Sequence, residues 1–174
     1  MRDGIASHPQ LAQFLSMLGM ARNTTITLVS GMDVAQLDHH HDPYSNSIGM
    51  LLGHVIAVEL SFQQRVLELQ LDAHLDEVMW ASGLELWDRG RFEFKRRELH
   101  VYTEALRRVR MRTIETLRGA SDEWLRSMPR SPTLSRRGLT LALYGDHSIE
   151  DELRHQGQIV WLTDRVSGYP GAFS

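Results

Sequence analysis

An all-α four-helix bundle is the fold this sequence predicts, and three observations predict it. Apolar residues recur at helical spacing over four long stretches. Val/Ile/Thr-rich alternation of the kind a strand needs is confined to the short run at residues 24–29. Gly, Pro and Asp punctuate the chain between the periodic stretches. At 174 residues the chain has the length of one domain, so a single helical-bundle domain over residues 1–174 is expected.

The first helix is predicted over residues 9–30. Pro9 suits its first turn, Leu11, Phe14, Leu15 and Leu18 sit at core spacing, and Gly31 is a stop signal. Residues 33–46 carry His39-His40-His41-Asp42-Pro43-Tyr44 and read as a polar loop. Ser47 is a suitable N-cap for a second helix reaching about residue 70, whose apolar face holds Ile48, Leu51, Leu52, Val55, Val58, Phe62 and Val66. Residues 71–97 mix Gly83 and Gly90 with Trp80, Trp87, Phe92 and Phe94, which predicts a long connection with short helical pieces. A third helix over residues 99–117 aligns Tyr102, Ala105, Leu106, Val109, Thr113 and Leu117, and Gly119 closes it. Ser121-Asp122-Glu123-Trp124 starts a short helix, residues 129–137 form a polar linker, and the last helix runs to about residue 166, before Gly168 and Pro170. The long connection between the second and third helices allows a topology other than up-down-up-down.

Composition removes whole classes of function. With no cysteine there is no thiol nucleophile, disulfide, iron–sulfur cluster or Cys-type zinc finger. A formal charge of −3, from 19 basic and 22 acidic residues, supplies no field that would draw nucleic acid or anionic lipid. The N-terminal stretch is broken by His8, Pro9, Gln10 and Gln13 and lacks a signal peptide's apolar run, so a cytoplasmic location is expected. The most apolar segment, residues 48–60, contains His54 and falls short of the roughly 20 residues a membrane span needs. The basic run Arg107-Arg108-Val109-Arg110-Met111-Arg112 has Glu98, Glu104 and Glu115 as neighbours that offset its charge, and it reads as a solvated helix face. Catalysis by a Ser/His/Asp triad and binding by a phosphate-cradling glycine loop both lack their motifs.

Nine histidines remain to be explained. On the last helix Asp151 and His155 lie one turn apart, about 40° from each other, on the stripe that Tyr144, Ser148, Ile159, Leu162 and Val166 use for packing. His147 lies at the edge of that face. On the second helix His54 flanks the stripe of Leu51, Val55, Val58 and Phe62 and points partly inward. An inward carboxylate and imidazole are costly unless paired, hydrogen-bonded or bound to metal. Together His54, Asp151 and His155 make a two-His, one-carboxylate set, which suits zinc, nickel or non-haem iron and leaves coordination positions open.

A plainer reading stands beside it: Ser148-Ile149-Glu150-Asp151 resembles a capping box, and His54 fits a satisfied core histidine. His39-His40-His41-Asp42 reads as a solvated turn without rigid support for a metal. Tyr144 and His147 are the candidate catalytic residues, for positioning or proton transfer, and Trp80 or Trp87 the candidate pocket walls.

Two stretches carry a family resemblance. LDHHHDPYSNSIGMLLGHVIAVE at residues 37–59 resembles a segment of the DinB/YfiT-like metalloenzymes, where a polar, proline-containing loop leads into Ser-Ile-Gly and a helix bearing a metal-binding histidine. His54 matches that histidine. HSIEDELRHQGQI at residues 147–159 resembles the family's last-helix motif, in which two ligands one turn apart precede a Gly-Gln pair; Asp151 and His155 align with the ligands and Gly157-Gln158 with the pair. Members typically use three histidines, whereas this chain has Asp151 at the middle position. The resemblance implies a four-helix bundle, often dimeric, with a divalent metal in an inter-helical cleft. Zinc or nickel is the expected ion, with iron and manganese as alternatives. It further implies a small-molecule substrate, with a low-molecular-weight thiol as cosubstrate in some relatives, and a transferase or hydrolase-like reaction. The competing expectation is a non-catalytic helical module for ligand binding or dimerisation.

Overall fold

Pro9 in the first turn opens helix α1 (Pro9–Leu28), with Leu11, Phe14, Leu18 and Ala21 buried along one side. The structure, a computed structural model, describes residues 8–72, 75, 81–130 and 140–166, without the side chain of residue 142. Trp80, His74, the linker residues 131–137, Gly168 and Pro170 lie outside the described residues. The loop expected over residues 33–46 contains one helical turn, α2 (Val34–Leu37). It forms because Asp33 accepts from the Gln36 N–H while the Gln36 side chain accepts from the Asp33 N–H. Ser47 caps α3 (Ile48–Arg65) as expected, its hydroxyl accepting from the Met50 N–H.

Helix α3 ends at Arg65, short of the expected residue 70. Glu68 adopts φ 56°, and the Leu69 N–H turns back to the Gln63 carbonyl at 2.9 Å. The chain is thus turned off the helix by a left-handed residue other than glycine, so the glycine stop signal that a sequence reader looks for is missing. In the connection that follows lies α4 (Asp88–Glu93). Helix α5 (Leu99–Leu117) has the bounds predicted from its periodicity. Ser121 caps α6 (Asp122–Arg126), and Thr140 caps α7 (Leu141–Thr163).

The four long helices form a ring in the order α1, α5, α3, α7, each packed on two neighbours. Contacts give their directions. Phe14 lies against Gly145 and Thr25 against Gln156, so α1 and α7 are parallel. Tyr102 lies against Gly49 and Thr113 against Glu59, so α3 and α5 are parallel. The chain therefore runs up, down, down, up. Between α3 and α5 it must return the length of a helix, about 27 Å for 18 residues, which explains the long connection that the sequence shows.

The main core gathers Ile48, Leu51, Leu52, Val55 and Ile56 from α3 with Tyr102, Leu106 and Val109 from α5 and Ile159 and Leu162 from α7. A satellite of Leu11, Phe14, Leu18, Leu117, Leu125 and Ile149 closes the α1 end. Among the described residues no helix is long and apolar enough to cross a membrane.

At the centre of the bundle each long helix contributes one buried charge: Arg22, Glu59, Arg110 and Glu152. Arg22 reaches Glu152 at 2.8 Å and Glu59 at 2.7 Å; Arg110 reaches Glu152 at 2.6 Å and Glu59 at 3.0 Å. Hydroxyls of Thr25 and Thr113 each donate to one of the carboxylates at 2.7 Å. Two cations and two anions close a neutral set. The solvated face expected for Arg107, Arg108, Arg110 and Arg112 therefore needs correction: Arg107 and Arg108 are exposed and Arg112 is half-buried, but Arg110 is only 4% exposed. A guanidinium can be buried here because facing helices supply both carboxylates.

Candidate metal centre

Small residues on α3 let the connection come close. Gly49, Gly53 and Ala57 repeat every four residues, and Phe94 and Gly83 lie against them. A Cβ at Gly53 would fall 2.3 Å from the Phe94 ring, and one at Gly83 would fall 2.5 Å from the Gly53 carbonyl oxygen and 2.6 Å from Ala57 Cβ. Glycine in a helix interior costs about 0.5–1 kcal/mol relative to alanine, so Gly53 is a local sacrifice that this close packing offsets. Its result is that the Gly83 carbonyl sits over the imidazole of His54.

That carbonyl accepts from His54 Nδ1–H at 2.7 Å. The hydrogen bond sets the tautomer, leaving Nε2 as the lone-pair nitrogen. On α7 the same arrangement recurs: His155 Nδ1–H donates to Gln158 Oε1 at 2.9 Å, and Nε2 is again the inward atom. The rings lie edge to face with centroids 4.8 Å apart. Between them stands Asp151, with Oδ2 3.5 Å from His54 Nε2 and Oδ1 3.6 Å from His155 Nε2.

The rotation of α7 is held from the other side. Glu152 lies in the central charge set, and Gln156 donates to the Ala21 carbonyl at 2.8 Å and the Thr25 hydroxyl at 3.0 Å. Asp151 and His155 each precede one of these residues, about 100° around the helix, and so face α3. The capping alternative for Asp151 fails, because α7 begins at Leu141 with Thr140 as its cap, and Asp151 is mid-helix.

Electrostatics join the three residues. Burial pushes the Asp151 carboxyl up, but His155 and then His54 outweigh it and hold it well below the usual carboxylate range. Burial works against a charged His155, yet Asp151 and Gln158 raise its pKa overall. Asp151 Oδ2 is buried and has no hydrogen-bond partner, since 3.5 Å is beyond bonding distance.

The donor set suits a divalent ion. One donor atom from each of the three residues lies within 4.8 Å of the others, and they are the metal-capable group found among the described residues. Tetrahedral bonds of about 2.0–2.1 Å need donors roughly 3.3 Å apart; each carboxylate oxygen is near that distance from one imidazole, and the 4.8 Å spread of the set closes with small side-chain rotations around an ion. Both imidazoles already carry the outer acceptor that metal-ligating histidines use.

A cleft of about 370 Å³ opens beside Asp151, between α3 and α7. Tyr144 and His147 line it, as their place on the last helix suggested. His147 is exposed, its Nδ1 3.4 Å from Glu150 Oε2. Trp87 does not wall this cleft: it is 74% exposed, because the connection turns that edge to solvent. In the histidine-rich loop, Asp42 accepts from the Tyr44 and Ser45 N–H groups and His40 pairs with the Ser45 carbonyl. That turn is organised by its own polar groups.

Sequence reasoning placed Gly83 in the connection and Gln158 in the family motif without seeing either as an imidazole partner, and it passed over the central charge set. The four-residue repeat of Gly49, Gly53 and Ala57 was a signal for the close approach, and Glu59 beside Val58 on an apolar helix was one for a buried charge.

Comparison with known proteins adds a family to this geometry. The sequence profile described as the DinB superfamily matches residues 17–159. No curated protein matches the chain.

Proposed function

The chain belongs to the DinB superfamily, and on that footing we propose that it is a divalent-metal-dependent enzyme whose ion is held by His54, Asp151 and His155. One observation carries the reading. Two imidazoles from different helices commit Nδ1 to fixed acceptors and aim Nε2 at one carboxylate whose second oxygen lacks a hydrogen bond. Zinc or nickel suits two imidazoles and a carboxylate, with iron and manganese as alternatives. A divalent ion with open positions supplies Lewis-acid chemistry, lowering the pKa of water or a small thiol so that an anionic nucleophile exists near neutral pH.

The chain's own residues do the remaining work. Gly83 and Gln158 hold the imidazoles in the ligating tautomer. Asp151 supplies the negative charge. The α3 side of the cleft, with Val58, Phe62 and Val66, keeps water from one flank of the reacting position, while Tyr144 and His147 offer polar groups on the α7 side. His147 is one helical turn from Asp151, about 6 Å along the axis, and Tyr144 about 10 Å. Proton transfer therefore falls to His147 before Tyr144. Because the chain has no cysteine, a thiol nucleophile has to arrive as a cosubstrate.

The test is elemental analysis of untagged protein purified without chelator, beside an Asp151→Ala/His155→Ala variant. Near-stoichiometric metal in the wild type, lost in a variant with unchanged helical circular dichroism, is the expected result. Absence of metal after incubation with zinc, nickel, manganese and anaerobic iron(II) overturns it. A second reading, a non-catalytic ligand-binding module, takes support from the mutual charge pairing of Asp151 with both imidazoles, which needs no ion. It predicts that second outcome.

A further inference from the structure

The cleft beside Asp151 is a straight groove with chemically distinct ends. On α3, His54, Val58, Ser61 and Arg65 lie within about 60° of one another, and on α7 Tyr144 lies about 20° from Asp151. The groove thus runs from Asp151 of the triad to Arg65, its α3 wall spanning about 10 Å from Val58 to Arg65. Its α3 wall is mainly apolar, with Val58, Phe62 and Val66 beside the single hydroxyl of Ser61. Arg65 is exposed in the last turn of α3, and among the described residues no carboxylate pairs with it. The second arginine of the groove, Arg154, is occupied by Glu150 at 2.5 Å. Glu150 also lies near His147, so the acidic charge of this rim is already engaged.

From this arrangement we infer that the cleft takes a linear small molecule with an apolar body and a terminal carboxylate, the carboxylate on Arg65 and the other end at the triad. The assignment rests on the reading of the triad as the reacting end. Each part of the groove selects for one part of the ligand. Arginine presents paired donors that match a carboxylate and stays charged at every physiological pH. Val58, Phe62 and Val66 favour a hydrocarbon body over a polar one. A neutral end group leaves Arg65 in water and gains nothing there, so the carboxylate decides which ligands of equal length are retained. Arg65 is then a specificity-determining residue, remote from the reacting atoms.

Metal-free protein tests the subsite without the ion. Octanoate and 1-octanol are titrated separately while the methyl resonances of Val58 and Val66 are followed by NMR, in the wild type and in Arg65→Ala, Arg65→Lys and Arg154→Ala. Octanoate is expected to bind at least tenfold more tightly than octanol. Arg65→Ala should remove that preference, Arg65→Lys should keep part of it, and Arg154→Ala should leave it largely intact. Equal binding of the two probes, an unchanged preference in Arg65→Ala, loss of it in Arg154→Ala alone, or shifts confined to residues outside the groove each overturn the inference. Elemental analysis of the same variants separates the two ideas. Metal retained with no carboxylate preference sinks the subsite only, whereas a carboxylate preference in a protein that never binds metal sinks the enzyme reading and leaves a carboxylate-binding module.

Discussion

At the scale of single residues, the two hydrogen bonds from imidazole Nδ1 atoms decide what the site can bind. A histidine free to rotate or change tautomer presents its ligating nitrogen only part of the time, and an outer acceptor removes that freedom. Gln158→Ala deletes the partner of His155 while leaving all three ligands in place. Its affinity for zinc should fall by about 10–100-fold, read by competition with a chromophoric chelator. Retention of wild-type affinity would mean that packing alone orients the ring. His54, Asp151 and His155 were legible in the sequence because inward polar residues stand out on apolar stripes. Gln158 and Gly83 were not legible as partners. Gln158 is a polar side chain on an exposed position, and Gly83 contributes a carbonyl that any residue carries.

At the scale of elements, the contact of the long connection with α3 is what shapes the first ligand. Gly83→Ala introduces a methyl 2.5 Å from the Gly53 carbonyl oxygen, a fixed backbone atom that cannot give way. The connection must move out, and its carbonyl leaves His54. The expected outcome is loss of the hydrogen-bonded Nδ1–H proton resonance of His54 together with weaker zinc binding. A variant that keeps that resonance would show that the carbonyl reaches His54 without the close approach. The helices themselves were largely readable, since capping by Ser47 and Ser121 and the periodicity of residues 99–117 are local properties. Where a helix end departed from expectation, at Arg65, the stop came from Glu68 in a left-handed conformation stabilised by the Leu69–Gln63 hydrogen bond. No residue type announces such a stop.

Across the whole molecule, the four buried charges tie the bundle at its centre and set the rotation of the helices that carry the ligands. Glu152→Gln keeps the shape but leaves Arg22 and Arg110 with one carboxylate between them. Breaking a buried pair from one side costs about 3–5 kcal/mol, so urea unfolding should show a loss of that order. The same group makes stability depend on acid. Burial opposes ionisation of Glu152, but Arg22 above all, with Arg110 and Thr25, holds its pKa below the ordinary value of 4.5. A carboxyl with a lowered folded-state pKa binds protons more readily once unfolded. Its contribution is therefore complete above pH 4.5 and is lost as the pH falls below that value. Melting temperature against pH should drop more steeply below this point in the wild type than in Glu152→Gln; parallel curves would remove Glu152 from the acid response. By itself, the sequence determined the helical class, most of the helix positions and the residue types able to hold an ion, because periodicity, capping and burial cost are short-range properties. Only the tertiary structure decided that α1 and α7 run parallel, that Arg110 is inside, and that His54 meets Asp151 and His155. These depend on which helix faces pack together, and that is settled by close approach and charge pairing between residues far apart in the chain.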